Sequence, residues 1–172
     1  MKRKSTEIVL ATVIMSIAIV ATAYTESFGQ TFRIEHQGKT GHAFTTNEGT
    51  ISALHVGGVN FDYYYPALDL MIDTRTKSDQ GFKTSDLPPS YFIDRRGTRH
   101  SLAKTGSHHS QTVVSMRFFP GESGMPIFAA DGSVCCVVLG NAFINARWRG
   151  RVARIHPLLE GIQAKKVLAD PK

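Results

Sequence analysis

The sequence predicts an all-β domain, a sandwich or a barrel, that ends in one helix. Three observations carry this. Short apolar or β-branched runs recur at 31–35, 41–46, 50–56, 68–73, 112–119, 126–129, 134–139 and 151–155. The breaks between them are rich in Gly, Asn, Asp and Pro, as at Asn47-Glu48-Gly49 and Asp131-Gly132, the turn chemistry that separates strands. Only near the end, over 155–169, does a helical segment follow, with Pro157 in its first turn, where a helix needs no N–H.

The chain of 172 residues begins with a segment of its own kind. Met1-Lys2-Arg3-Lys4 is a positive start, 8–24 is an apolar run, and Ala21-Thr22-Ala23 offers a small-x-small cleavage site. This is the pattern of a secretory signal peptide. The run is long for that purpose and short for a comfortable membrane span, so 1–27 reads as a signal peptide or an N-terminal membrane anchor. Either one leaves the charged end in the cytoplasm and the domain on the far side. In a fragment of a viral polyprotein the membrane would be the host's. Residues 28–172 are enough for one domain that buries roughly 70% of its unfolded surface. Within it, Leu87-Pro88-Pro89-Ser90 is the expected link between a first half, 28–87, and a second, 90–170.

The first half brings Gly49-Thr50-Ile51-Ser52-Ala53-Leu54-His55-Val56, a strand that runs into a histidine and leaves through glycines. Next, Ala67-Leu68-Asp69-Leu70-Met71-Ile72 sets an aspartate at the head of an apolar strand. Only 13 residues separate His55 from Asp69, which demands a very short connection. Asp62 and Asp73 are the rivals; the bland reading of Asp69 is a turn residue before a strand.

The second half holds the most informative stretch, Pro120-Gly121-Glu122-Ser123-Gly124-Met125-Pro126. A serine hydroxyl is a poor nucleophile unless a base takes its proton, and acyl transfer needs N–H groups aimed at the developing oxyanion. A Gly-x-Ser-Gly turn can meet the second need through Gly121 and Ser123, because glycine permits the backbone angles required. The order His, Asp, Ser is one of several that build a catalytic triad.

These motifs together resemble the chymotrypsin-like serine proteases, above all their short bacterial and viral members, from about residue 38 to 159. Gly41-His42-Ala43-Phe44 looks like the glycine-led first strand. Ser52-Ala53-Leu54-His55-Val56 resembles the histidine motif, with serine for threonine, and Asp69-Leu70-Met71-Ile72 the aspartate motif. Gly121-Glu122-Ser123-Gly124-Met125-Pro126 is similar to the nucleophile motif, with Glu122 where aspartate is usual. The run 131–140 is similar to the hairpin and strand after the serine, with a narrower likeness to the alphavirus capsid protease. The resemblance implies two β-barrels closed by the C-terminal helix and a peptide-bond hydrolase without cofactor. His55 would be the base, Asp69 its partner, Ser123 the nucleophile, and the N–H groups of Gly121 and Ser123 the oxyanion hole. Leu139-Gly140-Asn141 would be the edge that pairs with a protein or peptide substrate. Arg117 falls at the position that often forms the base of the specificity pocket. Pointing inward, it would favour an acidic residue before the cut; pointing to solvent, it would not.

Other features are set against plainer readings. His108 and His109 lie in a Ser/Thr-rich stretch that reads as a solvated loop, His156 marks a helix start, and His36 and His42 lie near the first strand. No His/Cys/Glu spacing suggests a metal site, and none is expected. Cys135 and Cys136 are neighbours on a strand and point to opposite faces, so they read as buried free side chains. With 20 Lys+Arg against 14 Asp+Glu the chain is mildly basic. Much of that charge sits in Arg147-Trp148-Arg149-Gly150-Arg151-Val152-Ala153-Arg154. This reads as a strand with one wet face, the alternative being a patch for nucleic acid or an acidic substrate; nucleic acid is not favoured. An esterase would want Gly-x-Ser-x-Gly, and Met125 stands at the last position. A non-catalytic binding module with the same fold is the remaining alternative.

Overall fold

The structure, a computed structural model, describes residues 31–57 and 61–169. The expected signal peptide or anchor at 1–27 lies outside the described residues.

Two antiparallel sheets and one helix make up these residues. The first sheet has five strands: β1 (Thr31–His36), β2 (Lys39–Thr46), β3 (Gly49–Ala53), β4 (Tyr63–Tyr65) and β5 (Leu70–Asp73), in the order β1-β2-β3-β5-β4. The second has seven: β6 (Tyr91–Ile93), β7 (Arg99–Ser101), β8 (Lys104–His108), β9 (Gln111–Val114), β10 (Pro126–Phe128), β11 (Val134–Ile144) and β12 (Arg147–Arg154). Their order is β7-β6-β10-β11-β12-β9-β8. Helix α1 (His156–Ala169) closes the chain, and Leu158 on its first turn is buried in the core.

The chain passes between the sheets through 74–90, which bridges to both: Thr46 pairs with Phe82 and Thr84 with Val134. The run Val134–Leu139 is apolar without alternation because both of its faces are covered, as for any strand buried on two sides. Val134, Val137 and Leu139 pack with Phe44, Ile51, Leu70 and Ile72 of the first sheet. Cys136 and Val138 point the other way, onto Phe92, Phe118 and Val152 inside the second. Cys135 and Cys136 are buried and free. β11 is therefore the wall the two halves share, and the serine loop hangs from it.

Four runs differ from the sequence reading. The stretch 50–56 ends as a strand at Ala53 and turns into a 3-10 helix over Leu54–Val56. The run 112–119 is a strand only to Val114; beyond it Phe118 turns into the core instead of alternating. β11 and β12 extend past 139 and start before 151, joined by a tight turn in which Asn145 and Ala146 both have positive φ, 50° and 58°. That turn type usually announces itself by Asn-Gly; alanine in the second place hid it.

Candidate active site

Asp69 stands at the end of the 3-10 turn Pro66–Leu68, in the left-handed region at φ 59° and ψ 40°. Aspartate tolerates that region better than most residues. From there it reaches the histidine turn at three points. Its carbonyl accepts from Leu54 N at 2.8 Å, Oδ1 accepts from His55 N at 2.8 Å, and Oδ2 accepts from His55 Nδ1 at 2.5 Å. The short spacing is no obstacle. β3 and β5 are direct neighbours with Ala53 opposite Leu70, so the residue after one strand and the residue before the other meet whatever the chain does between them. A carboxylate on Nδ1 takes the proton-bearing nitrogen and leaves Nε2 as the acceptor. Both rivals are committed elsewhere: Asp62 caps Thr74 through its N–H (2.8 Å) and hydroxyl (2.5 Å), and Asp73 holds Arg75 Nε at 2.7 Å.

Ser123 sits half-buried in a loop whose shape depends on the glycines around it. Gly121 and Gly124 both have φ +86°, and a methyl on Gly124 would stand 1.9 Å from the carbonyl of His42. Gly124 N donates to Val138 O and Ser123 O accepts from His42 N, each at 2.8 Å. The loop is thus stitched to β11 on one side and to β2 on the other. Gly41 lies between the histidine turn and the serine: a methyl there would come within 2.6 Å of Val56 Cγ2 and 2.8 Å of Ser123 O. The residue after His55 and the backbone of Ser123 therefore flank one point.

The donor pattern of the loop is uneven. Glu122 N is taken by Phe119 O, Gly124 N by Val138 O and Met125 N by Glu122 O. Among the described residues nothing accepts the N–H groups of Gly121 or Ser123, the two expected in the oxyanion hole. Ser123 Oγ donates to Leu139 O at 3.5 Å, and among the described residues it makes no hydrogen bond to His55.

Two supports went unseen in the sequence. His42 Nδ1 lies 2.9 Å from Gly121 O. Burial holds this ring below the ordinary histidine range, helped by the Arg95 and Arg33 charges, while the Gly121 bond opposes the shift. Along β2 half-buried His42 stands between buried Gly41 and Ala43, and that alternation was the one available signal. Glu122 is buried at 2% exposure, its Oε2 accepting from Phe119 N at 2.7 Å. Burial raises its carboxyl above the usual range, with Phe119 N–H and Arg95 pulling the other way.

On the substrate side, a bulge between Val138 and Gly140 leaves Leu139 out of register with β12 and its carbonyl turned to Ser123. Gly140 faces the serine hydroxyl, 4.0 Å from where its Cβ would be. Asn141 ties its side chain to both backbone groups of Phe118, each at 2.8 Å. Arg117 takes the solvent-facing of its two possible orientations. It is exposed and lies over the Trp148 ring, 5.6 Å from the centroid; Phe118 is the residue that turns inward, against Gly150. An acidic preference at the residue before the cut therefore has no basis in Arg117.

Neither a family model nor a curated protein matches the sequence. Solved structures do match in three dimensions. The serine protease of a human pathogenic astrovirus superposes with a TM-score of 0.57 at 18% identity, covering 76% of this chain and 91% of that one. The Rv3671c protease in its inactive form gives 0.52 at 17% identity, over 84% of this chain and 91% of its own. A variant of Rv3671c from M. tuberculosis H37Rv gives 0.54 at 17%, over 87% and 91%. The chain has the two-barrel fold of the chymotrypsin-like serine proteases.

Proposed function

We propose that this protein is a serine endopeptidase that works through an acyl-enzyme. The observation that carries the reading is the three-point hold of Asp69 on the His55 turn, set beside Ser123 in a glycine-rich loop where the N–H groups of Gly121 and Ser123 have no acceptor among the described residues. His55 Nε2 takes the Ser123 proton as Oγ attacks a peptide carbonyl, then returns it to the leaving amine. Asp69 keeps the ring in the right tautomer and stabilises its cation. The N–H groups of Gly121 and Ser123 receive the oxyanion; one such donor is worth about 3 kcal/mol. Catalytic hydrogen bonds are often long without substrate and tighten in the complex, which is the reading of Ser123 Oγ resting on Leu139 O. The substrate is a protein or peptide laid along β11, and residues 1–27 deliver or anchor the domain outside the cytoplasm.

A fluorophosphonate probe tests the nucleophile. The intact protein should be labelled, Ser123→Ala should not, and His55→Ala should react far more slowly. Labelling that persists in Ser123→Ala would refute the assignment. An unlabelled, well-folded protein would favour the binding-module alternative, in which Ser123 stays on Leu139.

A further inference from the structure

The two edges of β11 are used unequally. β12 pairs along one edge up to Ile144, while β10 covers the other only opposite Val134–Val137. Past Leu139, among the described residues, no strand occupies that second edge. The far end of the β11–β12 ribbon carries Phe143 and Trp148, directly opposite each other, with rings 5.6 Å apart. They are 63% and 53% exposed, a large apolar surface to leave in water. Arg117 lies across Trp148 and, among the described residues, has no carboxylate partner. No acid is within reach along the chain either: 95–121 and 132–159 contain no Asp or Glu. The opposite face of the ribbon carries Arg147 and Arg149.

We propose that Arg117, Trp148 and Phe143 form a subsite that selects an acidic side chain upstream of the cut, on a substrate strand added to the free edge of β11. This rests on the peptidase reading above and names its substrate class. A guanidinium held over an aromatic ring has part of its freedom already spent, so less is lost on binding a carboxylate. Register sets the distance. If the residue before the cut lies opposite Leu139, antiparallel pairing puts the residue about four positions further upstream opposite Phe143. The acidic selection that the sequence suggested beside the cut is thereby moved outward along the strand.

The test uses the full chain and matched peptides that differ only in Glu, Gln or Lys at about four to six residues before the cut. The Glu peptide should exceed the Gln peptide in kcat/KM by about two- to fivefold, the range of a partly exposed ion pair. That ratio should fall to about one in Arg117→Ala, and Lys should overtake Gln in Arg117→Glu. A ratio near one in the native protein, or one unchanged in Arg117→Ala, would overturn the proposal. Trp148 is the single tryptophan, so its emission reports occupancy without turnover. In Ser123→Ala the Glu peptide should shift the emission saturably and the Gln peptide should do so more weakly. A single-stranded oligonucleotide that binds more tightly than the Glu peptide would reassign the surface and defeat the proposal. Failure of fluorophosphonate labelling with the Trp148 response intact would sink the peptidase reading while leaving the acidic-peptide site standing.

Discussion

Asp69 does two jobs that one substitution can separate. Asn at this position keeps an oxygen for His55 N and tolerates the left-handed backbone, but presents an amide to the imidazole and favours the wrong tautomer. Asp69→Asn should therefore lower kcat by roughly 10³–10⁴-fold with little change in the melting temperature; a drop below tenfold in a peptide assay would remove Asp69 from the mechanism. His42 and Glu122 affect stability with opposite signs. The His42 pKa is depressed in the fold, so the unfolded chain binds more protons in the window below the ordinary histidine value. Stability should fall as pH drops through that window, and His42→Gln should lose this dependence. The Glu122 pKa is raised, so the folded state holds the extra proton. Its contribution is present at low pH and is lost as pH climbs from the usual carboxylate value through the raised one; Glu122→Gln should flatten that limb of a melting-temperature profile. At this scale the three residues of the proposed triad were legible because each stands in a recognisable local string. The orientation of Arg117 was not, since a side chain flanked by Met116 and Phe118 can turn either way until Gly150 makes room for the phenylalanine.

Turns decide more than strands at the level of elements. The turn at Asn145-Ala146 holds an alanine at φ 58°, where a side chain costs roughly 1–2 kcal/mol. Ala146→Gly should stabilise the protein by about 1 kcal/mol in urea unfolding; a loss instead would mean that the ribbon is not built on this turn. The serine loop is the converse case. A methyl on Gly124 has no room beside the His42 carbonyl, so Gly124→Ala should cost several kcal/mol, of the order seen where a side chain is forced against backbone, and abolish probe labelling. β4, β6, β7 and β8 escaped the sequence reading. They are short, and Arg99–Ser101 and Lys104–His108 carry polar residues where one buried face would otherwise show alternation.

The whole molecule is joined through its aromatic seam. Phe128 of β10 stacks on Tyr91 at 5.1 Å and meets Phe82 of the crossing segment edge-on at 5.4 Å, and Phe82 in turn meets Phe44 of the first sheet at 6.3 Å. Phe128→Ala should cost about 3–5 kcal/mol, and both sheets should still melt in one transition, seen as coincident Trp148 fluorescence and far-ultraviolet circular dichroism curves. Two separated transitions would show that the halves fold independently.

By itself the sequence determined the all-β class and the closing helix and singled out His55, Asp69 and Ser123 as the candidate site, because periodicity, turn chemistry and short strings around these residues are local properties. Only the tertiary structure decided that β3 and β5 lie side by side and so close the gap from His55 to Asp69. It alone set His42 under Gly121, sank Phe118 and left Arg117 on Trp148. These outcomes depend on which strands pair and which faces meet, and pairing between distant segments is set by competition for a shared core that no short window of residues contains.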